Sequence, residues 1–244
     1  MVDFENYSRQ AVHFFSAVLP PLLREAVQQS PDNAAVVDYG CGDGHLVWTL
    51  RHHGLLGRAG TVIGLDISDI RLRRFIENTG YSTLLHAPDS DLPLADGSID
   101  LVMSTMVIEH APDDRWMADQ IARVLKPDGR VYLTTVVKRN WAWYFRRSPD
   151  GRWVLDSTHV REYRSRAEVE NLIENSGLQI EKVILKQLAF PVIHPIVRII
   201  NRWVPLRGVN RLFVDNRFMR LLEKLALPIP GYYAIEVVAR KPKN

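Results

Sequence analysis

The stretch AAVVDYGCGDG at residues 34–44 decides the fold. A short apolar run ends at Asp38 and passes into three alternating glycines, and the residues from Gly44 to Leu56 have the pattern of a helix. Glycines let the backbone approach a ligand closely, and the first turn of the following helix offers unpaired N–H groups. This strand, loop and helix therefore predict a site for a small ligand.

The residues around the loop narrow the choice of ligand. A dinucleotide-binding loop needs a third glycine where this chain has His45. Asp38 would repel a pyrophosphate but suits an ammonium group, which S-adenosylmethionine carries. About 20 residues further on, Asp66 ends a second buried strand, where this architecture holds a ribose diol. Asp66 could instead cap the next helix, but Ser68 or Asp69 can do that. These residues indicate S-adenosylmethionine.

Strands and helices alternate on both sides of this loop. We predict strands at residues 61–66, 82–86, 99–104 and 130–138, and helices at residues 69–79 and 113–125. A helix at residues 165–176, a strand at residues 178–187 and a last strand at residues 232–240 follow. Five successive βα units predict an α/β fold, with a parallel sheet covered by helices on both faces.

Two segments flank the predicted cofactor-binding core at residues 31–138. Residues 1–30 repeat apolar side chains at helical spacing around Pro20-Pro21, which predicts two N-terminal cover helices joined by a kink. Residues 188–231 are too long for a hairpin turn and contain five prolines, which predicts a capping insertion of one or two short helices. We expect residues 1–244 to form a single domain.

Composition excludes several classes of protein. The net charge of +3 over 244 residues is too small to require a nucleic-acid partner. Cys41 is the only cysteine, so a disulfide framework or a cysteine metal site is excluded, and we expect a cytoplasmic protein without a metal. Asp3 and Glu5 stand where a signal peptide carries positive charge. No apolar stretch approaches the roughly 18 residues that span a bilayer.

Five ordered blocks resemble the class I S-adenosylmethionine-dependent methyltransferases, especially the small-molecule branch often called type 11. The blocks are VVDYGCGDG at 36–44, GLDIS at 64–68, LPLADGSIDLV at 92–102, EH at 109–110 and RVLKPDGR at 123–130. The resemblance covers roughly residues 34–138. It implies a Rossmann-like, doubly wound sheet of seven mostly parallel strands with an antiparallel last strand. It also implies that S-adenosylhomocysteine is the product.

The resemblance also assigns cofactor contacts. Asp38 and the loop would hold the methionine moiety, Asp66 would hold the ribose hydroxyls, and Ile67 would pack on the adenine. The loop residues are Gly40, Cys41, Gly42 and Gly44. The backbone at Ser104, Thr105 and Met106 would approach the amino group of the cofactor.

One position departs from the family pattern. The family commonly places the acid that binds the adenine amino group four residues before the Leu-Pro pair, and this chain has Pro88 there. Asp89 and Ser90 are the remaining candidates for this contact. Their alternative role is to form a turn after Pro88.

Two histidines are candidate catalytic bases. Methyl transfer needs an in-line nucleophile in a dry pocket, so positioning supplies much of the rate and a protein base is not always required. A neutral imidazole at His110 or His159 could deprotonate a hydroxyl near pH 7, and both resemble positions often occupied in the family. The alternative for each is a hydrogen-bonded structural histidine, which we favour for His110.

Segments outside the core bear on the acceptor. Residues 104–107 lack the Asn/Asp-Pro-Pro-Tyr signature of enzymes that methylate base amines, which argues against DNA. Residues 138–147 interleave aromatic rings with positive charge, which suits RNA or an apolar cover over the active site. We favour the cover because one basic cluster makes a poor track for a nucleic-acid backbone.

The capping insertion has its own charge pattern. Residues 189–230 hold seven basic and two acidic side chains, a balance of +5, among apolar residues and Trp203. Basic amphipathic helices with a tryptophan are typical of a membrane-surface contact. A cap packed on the core or a dimer contact would explain the same pattern, and from the sequence alone we favour this alternative.

The sequence therefore predicts a cytoplasmic methyltransferase, with a membrane-surface contact as a further expectation. It would move a methyl group from S-adenosylmethionine to an O, C or N atom of a small, apolar or lipid-like metabolite. The alternatives are an RNA-modifying enzyme and a catalytically silent S-adenosylmethionine-binding module that serves a partner.

Overall fold

The computed structural model describes residues 8, 13–16, 18–87, 90–144, 146–148, 151–156, 158–204 and 206–243. The strands are β1 (Ala34–Tyr39), β2 (Ala59–Asp66), β3 (Ser82–Leu85), β4 (Ile99–Thr105), β5 (Leu125–Lys138), β6 (Arg146–Arg147), β7 (Trp153–Val154), β8 (Gln179–Pro191) and β9 (Ala226–Arg240). The helices are α1 (Pro21–Gln28), α2 (His45–His52), α3 (Asp69–Thr79), α4 (Asp114–Val124), α5 (Arg166–Asn175), α6 (Ile193–Trp203), α7 (Leu212–Asp215) and α8 (Arg217–Glu223), with a 3₁₀ turn at Val209–Arg211.

Seven strands form one sheet in the order β3-β2-β1-β4-β5-β9-β8. The pairs from β3 to β5 are parallel, and β9 runs antiparallel to both β5 and β8. This confirms the predicted Rossmann-like, doubly wound sheet and its antiparallel last strand. The strand order reverses at β1, which lies between β2 and β4, so the carboxyl ends of these strands border the crevice where such sheets bind ligands.

The core lies in two layers, one on each face of the sheet. Side chains alternate along each strand, so Val37 of β1 and Leu133 of β5 face α4 and α5. Val36 and Tyr132, their neighbours along the chain, face α1, α2 and α3. The parallel strands are therefore buried on both faces, as their continuous apolar sequences predict.

The N-terminal segment differs from the predicted pair of helices. Helix α1 begins at Pro21, which is favourable at a first helical position. Residues 13–16 and 18–20 are not helical, because their polar groups bond to other elements instead: Phe15 N–H donates to Asn210 O and Ser16 N–H to His45 Nε2, at 2.6 and 3.0 Å. Apart from Ser8, the rest of the predicted first helix lies outside the described residues.

The capping insertion also differs from its prediction. Strands β8 and β9 continue as a hairpin, with pairs from Ala189 with Pro228 to Pro191 with Ala226, so the insertion narrows to residues 192–225. It contains α6, α7, α8 and the 3₁₀ turn, more than the one or two helices expected. The prolines of β9 before Tyr232 are tolerated because β9 pairs there with β8 alone.

Across the described part of the chain, no helix combines the length and the apolar character that crossing a bilayer requires.

Candidate active site

Asp38 lies at the carboxyl end of β1, and its side chain is buried. Its Oδ2 atom has no hydrogen-bond partner among the described residues. Burial, with a smaller effect from the negative charge of Asp66, raises the pKa of Asp38 to about 8. A buried carboxyl with an unused oxygen is costly, and a positively charged ligand beside it would stabilise the ionised form.

The glycines after Asp38 adopt conformations that other residues avoid. Gly40 has φ +76°, and a Cβ there would lie 2.3 Å from Val107 Cγ2. Gly44 has φ +86°, and a Cβ there would lie 2.7 Å from Thr79 Cγ2. Contacts this short would force the neighbouring side chains apart. The loop therefore keeps its path, close against β4 and α3, only with glycine at both positions.

The end of β2 holds the loop in place. Gly40 N–H and Cys41 N–H both donate to Leu65 O, at 2.7 and 2.9 Å. Asp66 accepts from Gly42 N–H at Oδ2 and from Ser68 N–H at Oδ1, both at 2.9 Å. Each carboxylate oxygen still has acceptor capacity, which is what two ribose hydroxyls require. Ser68 is the N-cap of α3 and accepts from Arg71 N–H, so the cap does not need the Asp66 side chain.

The turn after β4 faces the same crevice. Met106 has φ +56°, and its N–H donates to Thr134 O at 2.9 Å. Because this N–H is already used, the turn can offer only its carbonyl oxygens to an amino group. The neighbouring Thr105 is half-buried, while the Ser104 hydroxyl is fully buried without a partner among the described residues. Ile67, at the end of β2, is 41% exposed and leaves an apolar surface open for packing.

The structure describes fewer of the predicted contacts at the adenine end of the crevice. Asp89 lies outside the described residues, and Ser90 is exposed and bonds to Ala87 O, as expected of a turn. Sequence reasoning missed His86, a buried side chain directly after β3 whose Nε2 lies 3.2 Å from the Tyr39 hydroxyl. Its ring is parallel to that of Trp116, with centroids 6.2 Å apart. No motif in the sequence pointed to this histidine.

The structure brings the two predicted catalytic histidines together. The rings of His110 and His159 are 4.8 Å apart between centroids. His110 Nδ1 lies 3.1 Å from both the carbonyl and the hydroxyl oxygen of Thr158. Burial and the positive charge that His159 can carry lower the pKa of His110 to about 4, so His110 is neutral near pH 7.

Glu162, which the sequence analysis did not single out, contacts the other histidine. His159 Nδ1 lies 3.2 Å from Glu162 Oε1. Because a carboxylate accepts, Nδ1 carries the proton in the neutral ring, and Nε2 is then the atom that can accept one. The same carboxylate accepts from Leu155 N–H and the Tyr232 hydroxyl, and Lys138 Nζ lies 3.2 Å away. Although burial acts in the opposite direction, the hydrogen bonds to His159 and Leu155 and the charge of Lys138 lower the pKa of Glu162.

Glu109 is the third group that sequence reasoning missed, although it stands in the block at 109–110 that carries the family resemblance. Its side chain is fully buried, its Oε2 accepts from the Thr135 hydroxyl at 2.9 Å, and its Oε1 has no partner among the described residues. Burial raises the pKa of Glu109 to about 7. Ligand atoms of Glu109, His110 and His159 lie within 4.8 Å of one another, a cluster that could hold a metal ion. The expected absence of a metal stays a prediction.

Three positive side chains of residues 138–147 contact other described residues. Lys138 pairs with Glu162, the Arg139 guanidinium lies 5.5 Å from the Tyr233 ring, and that of Arg147 lies 4.2 Å from the Trp153 ring. Trp141 and Trp143 remain 65% and 55% exposed. Arg139 and Arg147 are exposed as well. The exposed rings suit an apolar cover, and a single basic cluster makes a poor track for RNA.

The N-terminal segment lies over the glycine loop. The Arg71 guanidinium donates to His13 Nε2, and its Nη1 lies 3.4 Å from the place a Cβ on Gly42 would take. Burial and the charge of Arg71 lower the pKa of His13 to about 3, so this histidine is a neutral acceptor. Residues 13–16 therefore cover the loop and the start of α2 through fixed polar contacts.

Sheet order, glycine loop and paired carboxylates define a nucleotide-type cofactor site of the class I methyltransferases. A family model described as a methyltransferase domain matches residues 9–183. The chain belongs to this family of S-adenosylmethionine-dependent methyltransferases, and S-adenosylmethionine is its cofactor.

Individual relatives agree with this assignment. The chain is 30% identical to a probable S-adenosylmethionine-dependent methyltransferase of Mycolicibacterium smegmatis over 146 residues, which are 60% of this chain and 52% of that protein. It is 31% identical to nocamycin O-methyltransferase of Saccharothrix syringae over 145 residues, 56% of this chain and 50% of that protein. The match thus spans about half the length of these relatives.

A solved S-adenosylmethionine-dependent methyltransferase from Methanosarcina mazei shares the fold. Its TM-score is 0.60 at 16% identity, and the alignment covers 93% of this chain and 99% of that one. At this identity, the likeness concerns the fold alone.

Proposed function

We propose that this chain moves a methyl group from S-adenosylmethionine to an O, C or N atom of a small, apolar or lipid-like metabolite in the cytoplasm, at the surface of a membrane. The observation that carries the proposal is the fit of the loop to the cofactor. A buried, unpartnered Asp38 oxygen lies beside a glycine cradle that admits no Cβ at Gly40 or Gly44. A narrow cradle with one unsatisfied acid suits a ligand with a positive amino group.

The cofactor contacts follow from this arrangement. Asp38 and the loop residues Gly40, Cys41, Gly42 and Gly44 would hold the amino-acid end, together with the turn at Thr105 and Met106. Asp66 would hold the ribose through its spare acceptor positions, and Ile67 would pack on the adenine. Ser90 is a weaker candidate because it is used in a turn. When bound, the cofactor supplies a methyl group on a sulfonium, an electrophile that needs no activation by the protein.

His159 is the proton acceptor we propose for an acceptor hydroxyl. Its Nδ1–H donates to Glu162, which fixes the ring and would stabilise the imidazolium formed when Nε2 takes a proton. Lys138 and Leu155 N–H hold the Glu162 carboxylate ionised in turn. His110 bonds to Thr158 and stays neutral, so we assign it a packing role beside His159.

The cover supports the choice of an apolar acceptor. Trp141 and Trp143 offer exposed rings, and the basic side chains beside them are engaged with Glu162, Tyr233 and Trp153. The exposed rings favour an apolar molecule, and one short basic cluster makes a poor track for a polyanion. An O-methyltransferase of a small molecule among the relatives is consistent with this choice.

The test uses methyl-labelled S-adenosylmethionine and a cell extract separated into lipid, small-molecule, RNA and protein fractions. We expect label in the lipid or small-molecule fraction, with none when the chain carries His159→Gln. Label in RNA alone would overturn the acceptor class. Binding of S-adenosylhomocysteine by calorimetry without label in any fraction would instead point to the silent binding module.

A further inference from the structure

The insertion at residues 192–225 and the adjoining hairpin tip carry an unusual share of the exposed apolar surface. Of the twenty large apolar side chains exposed in the described residues, twelve lie between residues 190 and 227. They are Phe190, Val192, Ile196, Ile199, Ile200, Trp203, Val204, Leu206, Phe218, Leu221, Leu225 and Leu227. Isolated apolar side chains are normal on a surface, but a concentration of this size marks an interaction site.

Helix α6 divides into two apolar sides, only one of which packs on the protein. The inner side carries the buried Val197 and the half-buried His194, whose ring lies 4.8 Å from Phe14 and 4.6 Å from Phe213. Ile196, Ile199 and Trp203 lie at helical spacing on another side and are 46%, 62% and 80% exposed. The outer side is therefore a stripe that the fold does not cover.

Helix α8 continues this outer surface. Its Phe218 and Leu221, with Leu225 just beyond it, lie three and four residues apart and are 60–64% exposed. Val192 N–H donates to Leu225 O at 3.0 Å, so the two stripes meet where α6 begins. Phe190 and Leu227, a directly opposed pair on β8 and β9, extend the apolar surface onto the hairpin.

The charges around these stripes identify the occupant. Arg198, Arg202, Arg207, Arg217 and Lys224 are exposed on the insertion. With its two acids, Asp215 and Glu223, counted against its seven basic residues, the insertion keeps a balance of +5. A second copy of the chain would bring the same positive charge to the contact, which is unfavourable, whereas an anionic surface would neutralise it.

We infer that the α6 and α8 stripes dock onto the surface of an anionic lipid bilayer. Helix α6 would lie in the plane of the interface, with its isoleucines among the acyl chains, Trp203 at the headgroups and the arginines on lipid phosphates. This inference deepens the proposed function and rests on its choice of an apolar acceptor. The docking itself requires no methyl transfer.

Flotation with vesicles tests the inference. The full chain is mixed with vesicles of phosphatidylcholine alone and with vesicles containing about 30% phosphatidylserine, an anionic lipid that gives the bilayer a negative surface potential. We expect flotation with the anionic vesicles only, and a decrease as salt rises. Arg202→Gln and Arg207→Gln should each lower the partition coefficient about fivefold, and Trp203→Ser about tenfold.

The controls are matched substitutions outside the insertion. Arg115→Gln and Arg164→Gln remove exposed charges elsewhere, and Ile76→Ser removes an apolar side chain that is 47% exposed on α3. We expect these variants to float like the unmodified chain. S-adenosylhomocysteine binding is measured for every variant without vesicles, and it reports the fold and the cofactor site independently of docking. A failure of docking is therefore distinguishable from a failure of the proposed enzyme.

Three results would overturn the inference. The first is an absence of flotation of the unmodified chain with anionic vesicles. The second is an equal loss in the insertion variants and the controls. The third is a dimer in sedimentation that Trp203→Ser dissociates while vesicles remain unbound, which would make a second copy the occupant.

Discussion

Replacing Asp38 with asparagine should make the free protein more stable and its cofactor site weaker. Burial raises the pKa of Asp38 from 3.8 to about 8. The folded protein thus keeps a proton that the unfolded chain releases, and stability falls as pH rises through this window by about 1.4 kcal/mol per unit. Between pH 3.8 and pH 7, the free energy of unfolding therefore falls by a total on the order of 4 kcal/mol. Asparagine keeps the shape and does not titrate.

Denaturant unfolding of both proteins at several pH values measures this difference. We expect Asp38→Asn to be the more stable at pH 7 and the two proteins to converge near pH 4. Asp100→Asn is the control, because Asp100 accepts from Ala35 N–H and pairs with Lys126, so its replacement should destabilise the fold. A variant that is less stable than the unmodified protein at pH 7 would refute the reasoning.

The same substitution should weaken cofactor binding. Loss of a charged hydrogen bond to the ammonium group should raise the calorimetric Kd of S-adenosylhomocysteine about 10- to 100-fold. In the unmodified protein, Asp38 must release its proton to pair with the ammonium, so affinity should rise from about pH 6 to 8. Unchanged affinity in Asp38→Asn, with the same pH dependence, would remove Asp38 from the site.

Three further substitutions test the rest of the site. Gly40→Ala places a methyl group against Val107 on a backbone with φ +76° at position 40, and it should abolish S-adenosylhomocysteine binding and lower Tm. Unchanged thermal melting would contradict the close approach of Gly40 to Val107. Asp66→Asn should weaken the same binding about tenfold in calorimetry, since an amide presents only one acceptor. Glu162→Gln should lower kcat with little change in KM and shift the lower limb of the pH–rate profile, as expected for a residue that positions His159; an equal loss from His110→Gln would argue against this division of roles.

The parts of the site that sequence predicted are local ones. Asp38, the glycines and Asp66 are close in the chain to the strands and helices that position them, so their spacing and the family resemblance together indicated a cofactor site. The catalytic region depends on distant segments. Glu109 accepts from the Thr135 hydroxyl at its side chain and from Val160 and Arg161 N–H at its backbone carbonyl. Glu162 is held by Lys138 and Tyr232. No local sequence pattern indicates contacts between such distant segments.

The outer segments were predicted less well for a similar reason. The extension of β8 and β9 into a long hairpin depends on their mutual pairing, which overrides the prolines that had marked the segment as irregular. Residues 13–16 carry helical spacing, but Ser16 N–H is satisfied by His45 and Phe15 N–H by Asn210. Tertiary bonds replaced the helical ones at both places.

These outer segments connect the charged insertion to the cofactor loop. Phe14 packs against both His194 and Phe213 of the insertion, and the adjoining His13 accepts from Arg71 beside Gly42. A surface that holds α6 in place would therefore also restrain the segment that covers the loop. Docking and cofactor binding should therefore strengthen each other, which calorimetry of S-adenosylhomocysteine with and without anionic vesicles would measure.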